Sequence, residues 1–378
     1  MTTQSLPKGQ KALVQTTYAA PLELKTTPVP EVVPGSAIVK ILACPVISYA
    51  KEVYNGTRKY PYPTPIIPGY SAIGRIAALG PDATSLKIGQ LVHIDSTVRS
   101  RDDPNDVFLM GLVEGHTEGA KKLMADVWRN GTWAQYCRAP LENCLSLNEQ
   151  RLVHELGYDI SDLATLGKFL VAYGGLRDIE LQAGETIVVA PATGGFGGAA
   201  VLTAVAMGAR VIAMGRNERK LSSLVDRFSD GRVKTVRISN DIETDTVALK
   251  AAAAGATIDA VFDISPNAAA KSTHLKSLIN VIKVGGQISM MGGVYADVPI
   301  PYAQCMHKDI KLKGKWMYSR EQALSLIKMV EAGVLKVGGP GGVSIKAEYG
   351  FEDWEKAFDD AEKYMGWDAT VIMKPAEN

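Results

Sequence analysis

The sequence predicts an α/β protein of two domains, a partly open β-barrel followed by a doubly wound parallel sheet. Three observations predict it. Thr186 to Ala190 is a short, β-branched apolar run, as in a strand buried on both faces, and the small-residue stretch Ala192 to Gly198 follows at once. From Gly184 onward such strands alternate with helical stretches, the pattern of a parallel sheet. Before residue 150 short strands are instead separated by proline and glycine turns, the pattern of a small barrel.

In the first half, Lys11–Val14 and Ala37–Ala43 read as strands, divided by the turns at Pro28, Pro30 and Pro34. Pro61 to Pro68 is a proline-studded loop; Gly69–Ala78 and Ile88–Ile94 continue the strand pattern. Ser96 to Asn130 interrupts it, charged at first and helix-like from Glu118 to Trp128, as in a lid, a pocket wall or an oligomer contact. Gly131 to Cys137 returns to strand, and Ile160 to Gly175 is a helical connection. Further strands are expected at Arg210–Met214, Lys234–Ile238, Ala260–Asp263, Gly286–Met291 and Lys311–Trp316, with helices at Ala199–Met207, Asp241–Ala254 and Ala268–Val284. Helices Glu321–Ala332 and Phe351–Lys363 and a last strand, Ala369–Met373, are expected to return to the barrel. The predicted division is 1–158 barrel, 159–315 nucleotide-binding sheet and 316–378 return.

The turn Ala192-Thr193-Gly194-Gly195-Phe196-Gly197 between strand and helix is a dinucleotide signature with alanine in place of its first glycine. A pyrophosphate is expected at the helix N-terminus, so Thr193, Gly194, Gly195, Phe196 and Gly197 are cofactor-binding candidates. An acid at the end of the second strand would bond the ribose 2′-hydroxyl of NAD. Here Gly215, Arg216 and Asn217 stand there, with Lys220 one turn on. A missing carboxylate and a nearby guanidinium suit a 2′-phosphate, so the expected cofactor is NADP(H). Ser265, Met291 and Gly292, at later strand ends, complete the cofactor set.

The formal charge of +1 offers no basic face for nucleic acid. The start, from Met1 to Gln10, has no apolar core of a leader, and no run approaches a membrane span. Cys44, Cys137, Cys144 and Cys305 form no CxxC pair, which fits free thiols and a cytoplasmic enzyme.

Four segments in this order, Gly69–Gly80 (GYSAIGRIAALG), Gly131–Tyr136 (GTWAQY), Ala190–Gly198 (APATGGFGG) and Gly285–Gly293 (GGQISMMGG), resemble the medium-chain dehydrogenase/reductase superfamily over nearly the full length. The resemblance implies a chaperonin-10-like barrel domain, a Rossmann domain and a cleft between them. It also implies homodimers joined through the edge of the nucleotide-binding sheet as the usual assembly. Zinc members hold their metal with a Cys, a His-Glu pair after glycine, and a further Cys or Asp. Here those positions fall on Ile47 (with Ala50 where an Asp is usual), on Tyr70-Ser71 after Gly69, and near Gly167. No zinc is therefore expected. Tyr70, which replaces a ligand, leads the proton-donor candidates, with Tyr49 and Tyr54 beside it. Each would otherwise be an aromatic pocket wall. His93, His116, His154, His274 and His307 show no ligand spacing and read as structural or exposed.

The expected function is zinc-independent, NADPH-dependent reduction of an enone, a quinone or an activated carbonyl of a small molecule. The same scaffold also permits a non-redox step (cyclisation, dehydration or isomerisation) or a non-catalytic NADPH-binding protein.

Overall fold

The computed structural model describes residues 6–376, so the first residues read for a leader, Met1 to Ser5, lie outside the described residues. The chain divides into two compact units. One runs to Gly167 and takes up Val337–Met365 and the chain from Ala369; the other is Lys168–Lys336 with Gly366–Asp368.

In the first unit, β1 (Gly9–Val14) and β2 (Glu23–Pro28) form an antiparallel pair. The long β3 (Ser36–Val46) pairs with β4 (Ala72–Leu79), which carries β5 (Leu91–Ile94). The hairpin β6 (Thr97–Arg99) and β7 (Val107–Leu109) lies in the expected insertion, and helix Glu118–Asp126 follows it, capped by the Thr117 hydroxyl. Then β8 (Tyr136–Pro140) pairs with the other edge of β3, and β9 (Cys144–Ser146) with β5. Gly131–Gln135, expected as strand, is irregular but already paired near its end: Ala134 bridges Ala12 antiparallel, the Leu13 N–H donates to the Trp133 carbonyl and the Gln135 N–H to the Lys11 carbonyl, and the regular strand begins at Tyr136.

The second unit contains β10 (Thr186–Ala190), β11 (Arg210–Gly215), β12 (Val233–Arg237), β13 (Ile258–Asp263), β14 (Ile282–Met290) and β15 (Lys311–Gly314). Their order, β12-β11-β10-β13-β14-β15, is parallel throughout, the doubly wound arrangement that binds dinucleotides at its switch point. All five residues of β10 are buried, as its unbroken apolar run requires. Val188, Ile212, Leu249, Val261, Leu278 and Ile288 form the core between the sheet and helices Ile242–Ala253 and His274–Val281.

Two helices differ from expectation. The one after β10 begins at Gly195, inside the glycine turn, because the glycines themselves adopt helical geometry. The expected Ala268–Val284 is a short turn at Asn267–Ala269 and a helix of two turns, after which the β-branched Ile282 already enters β14.

The chain then returns to the first unit with β16 (Ser344–Tyr349), helix Trp354–Lys363 and β17 (Ala369–Met373). Strand β17 pairs antiparallel with β3, setting Met373 opposite Cys44, and parallel with β16. Helix Arg320–Glu331, expected with this return, stays in the second unit.

Candidate functional site

In the second unit the site grows from the turn after β10. Gly194 caps helix Gly195–Ala206 with an extended backbone and no side-chain bond. The first N–H groups, of Gly195, Phe196 and Gly197, have no partner available within the helix and face the turn with the positive end of the helix dipole. Each glycine has a distinct reason. A Cβ at Gly197 would run into the Pro191 carbonyl, and one at Gly198 into Trp367, so both permit close packing. A Cβ at Gly194 would meet nothing within 4 Å, so there the turn is open. A diphosphate fits this cradle: it needs backbone donors and an approach free of side chains.

At the end of β11, Gly215 is buried against the Thr193 side chain, whose Cγ2 would lie 2.9 Å from an added Cβ. No acidic side chain could stand there without displacing Thr193. Arg216 follows, exposed. Asn217 caps helix Glu218–Val225, its side chain accepting the Lys220 N–H at 3.0 Å, so its role is to start that helix. The Lys220 ammonium reaches Gly366, and its carbonyl accepts the Trp367 indole N–H at 3.1 Å. Arg237, not anticipated, ends β12 in register with Gly215 and pairs with Glu218 at 3.4 Å. Its signal was available: the last residue of the neighbouring parallel strand borders the same crevice.

At the end of β13, Ser265 donates to Asp263 at 3.0 Å, and His274 Nε2 lies 2.9 Å from the same carboxylate. His274 Nδ1 meets the Ser272 hydroxyl at 2.7 Å, which makes this histidine a buried structural group. The Ser265 carbonyl accepts from Gly293, and Gly292 lies against the Ser265 backbone so closely that a Cβ would collide with it. Met291 donates its N–H to the Asp263 carbonyl, while its sulfur lies against Gly175. These candidates therefore hold the strand ends together through backbone contacts.

In the first unit the predicted tyrosines do gather. Tyr54 is 3 % exposed, donates its hydroxyl to the Gly111 carbonyl at 2.8 Å, and stands edge-on to Trp133. Its phenol is committed, which makes it a wall and removes it from the donor candidates. Tyr49 is half-buried, with the Arg58 guanidinium 3.9 Å above its ring and Tyr60 edge-on at 6.4 Å. Tyr70 is also half-buried. Burial first, then the neighbouring Tyr49, Tyr54 and Cys44, raises its pKa well above the usual phenol range. A Cβ on Gly167 would stand 4.0 Å from the Tyr70 ring and 3.7 Å from the Ser71 hydroxyl, so the second and third metal positions of the resemblance lie near one another.

The residues at those positions do not suit zinc. A catalytic zinc needs three donors from His, Cys, Asp or Glu. Here stand buried Ile47, a phenol held strongly protonated, and Gly167 without a side chain. Cys44 is buried, donates to the Thr132 carbonyl at 3.3 Å, and has its thiol pKa pushed far up by desolvation. Among the described residues no three such donors gather anywhere.

Two family models match the chain. One, for the alcohol dehydrogenase GroES-like domain, covers residues 33–149, and the other, for zinc-binding dehydrogenases, covers 195–332. The chain belongs to the medium-chain dehydrogenase/reductase superfamily, a family of oxidoreductases. It is 24 % identical over 326 residues to an alcohol dehydrogenase of Geobacillus stearothermophilus, covering 86 % of this chain and 90 % of that one. With the L-threonine 3-dehydrogenase of Streptomyces avermitilis it shares 25 % over 364 residues, 94 % of this chain and 97 % of the other. A solved cobalt- and zinc-bound thermostable alcohol dehydrogenase from Pyrobaculum aerophilum has the same fold, with a TM-score of 0.71 at 21 % identity, over 97 % of this chain and all of that one. Within the described residues of this medium-chain member, no helix is long and apolar enough to cross a membrane.

Proposed function

We propose that this member of the superfamily is a zinc-independent, NADPH-dependent reductase of an enone, a quinone or an activated carbonyl of a small organic molecule. The observation that carries the reading is the replacement of a metal-ligand position by Tyr70, whose ring lies 4.0 Å from where a Cβ on Gly167, at another, would stand. The strand end Gly215-Arg216, where no carboxylate stands and a guanidinium is exposed, supports NADPH over NADH.

The bound cofactor supplies a hydride from its dihydronicotinamide. Arg216 would hold the 2′-phosphate bidentately, and Arg237, in register beside it, would add charge to the same rim. The N–H groups of Gly195, Phe196 and Gly197 would hold the diphosphate. With its raised pKa, Tyr70 keeps its proton at neutral pH and so serves as a hydrogen-bond donor to a developing oxyanion. A phenol this weakly acidic suits an enone, whose hydride arrives at carbon while the charge is delocalised over an enolate that water can protonate. Tyr49, under the Arg58 guanidinium, is the second donor of the cluster.

NADPH deuterated at C4, supplied with a panel of enones and quinones, tests the reading. Deuterium on the carbon β to the carbonyl of a reduced enone, or consumption of one NADPH per quinone reduced, is expected. Product formed without deuterium and without NADPH loss would point to a repurposed, non-redox pocket.

A further inference from the structure

The second unit opens with a lysine that belongs to none of the motifs above. Lys168 lies in the first turn of helix Leu166–Asp178, half-buried, and its stem runs along the glycine turn. A Cβ placed on Gly195 would stand 3.5 Å from both Cδ and Cε of Lys168 and 3.5 Å from the Gly366 carbonyl. The ammonium is one bond further on. The neighbouring Gly194 is open, so the lysine borders the turn just where the backbone donors of helix Gly195–Ala206 are exposed. Desolvation lowers the pKa of Lys168 to about 8, which still leaves it charged at neutral pH.

We propose that Lys168 is a cofactor-binding residue whose ammonium, with the helix N-terminus, holds the diphosphate of the dinucleotide. The proposal rests on the NADP(H) reading and goes beyond it by assigning the diphosphate a side-chain cation outside the glycine motif. The helix end contributes partial charge and directed N–H groups; the lysine contributes a full point charge on a flexible stem. The diphosphate is common to NADPH and NADH, so Lys168 should matter equally to both. Arg216, at the 2′-phosphate, should matter to NADPH alone.

Calorimetric titration of the full-length protein with NADPH, NADH and adenosine 2′-monophosphate separates these roles, using wild type, Lys168→Gln, Lys168→Arg and Arg216→Ala. Lys168→Gln is expected to weaken NADPH and NADH alike by about tenfold, and to leave adenosine 2′-monophosphate, which lacks a diphosphate, unchanged. Lys168→Arg should retain most of the affinity. Wild-type affinity for both dinucleotides in Lys168→Gln would overturn the assignment, as would an equal loss for adenosine 2′-monophosphate, which would mark a structural effect. Failure of the wild type to bind either dinucleotide would take the cofactor reading down with it.

Discussion

His93 on β5 is fully buried, and neither ring nitrogen has a hydrogen-bond partner. Burial lowers its pKa to about 4, against roughly 6.5 in an unfolded chain. Above pH 6.5 both states leave the ring neutral and its stability contribution does not change. As pH falls from 6.5 toward 4 only the unfolded chain takes up the proton, so stability is lost across that window. The loss should reach about 2 kcal/mol at pH 5. Urea unfolding at pH 8 and pH 5 should show it, and His93→Leu should remove that part of the slope; an unchanged slope would mean that the ring is not held neutral. At Arg216 the expectation is selective. Arg216→Ala should cost about 1.5–3 kcal/mol of NADPH binding and barely affect NADH, as read by calorimetry, whereas equal losses would assign the residue another role. Tyr70→Phe removes a single donor from the proposed oxyanion site and should lower kcat by roughly 100-fold with little change in NADPH affinity. Unaltered turnover would exclude Tyr70 from the chemistry.

Among the elements, the turn after β10 carries two kinds of glycine, which mutation can tell apart. Gly198→Ala drives a methyl into Trp367, whose indole is tied to the Lys220 carbonyl and the Ser223 hydroxyl, and should destabilise the protein by about 1–3 kcal/mol in thermal melts. Gly194→Ala meets no neighbour, and its backbone is in a region open to any residue, so its cost should stay under about 1 kcal/mol. Its methyl would nevertheless stand in the open cradle and weaken NADPH binding. Elements made of unbroken β-branched apolar runs were legible to the residue: β10 and β17 begin and end where the sequence predicts. Strand β2 was not, because Glu23–Pro28 is largely exposed and polar, held by pairing with β1 rather than by burial. The small hairpin β6–β7 escaped for a related reason, since its three-residue strands are too short to show a period. At the candidate site, Gly197, Gly198 and Gly215 stand where close packing leaves little or no space for a side chain, and such glycines show in a sequence. Arg237 and Lys168 arrive through parallel register and the path of a helix, which a local motif does not encode.

For the molecule as a whole, the two units carry separate halves of the proposed chemistry: a parallel sheet with a nucleotide cradle, and a tyrosine cluster in which Tyr70 stands where the resemblance puts a zinc ligand. The order of elements and the two-unit plan could be read from the change of period near Gly184, but the boundary at Gly167 and the return of Gly366–Asp368 to the second unit could not. Those three residues pack on the glycine turn through Trp367, a contact between segments far apart in sequence. Turnover by metal-free protein tests the proposed reaction most directly. Protein dialysed against a chelator and shown by elemental analysis to hold no zinc should be assayed with NADPH and an enone, with cofactor loss and reduced product both measured. A zinc-independent reductase consumes one NADPH per product formed, at the same rate before and after chelation. Activity that disappears with the metal and returns on adding zinc would contradict the proposal.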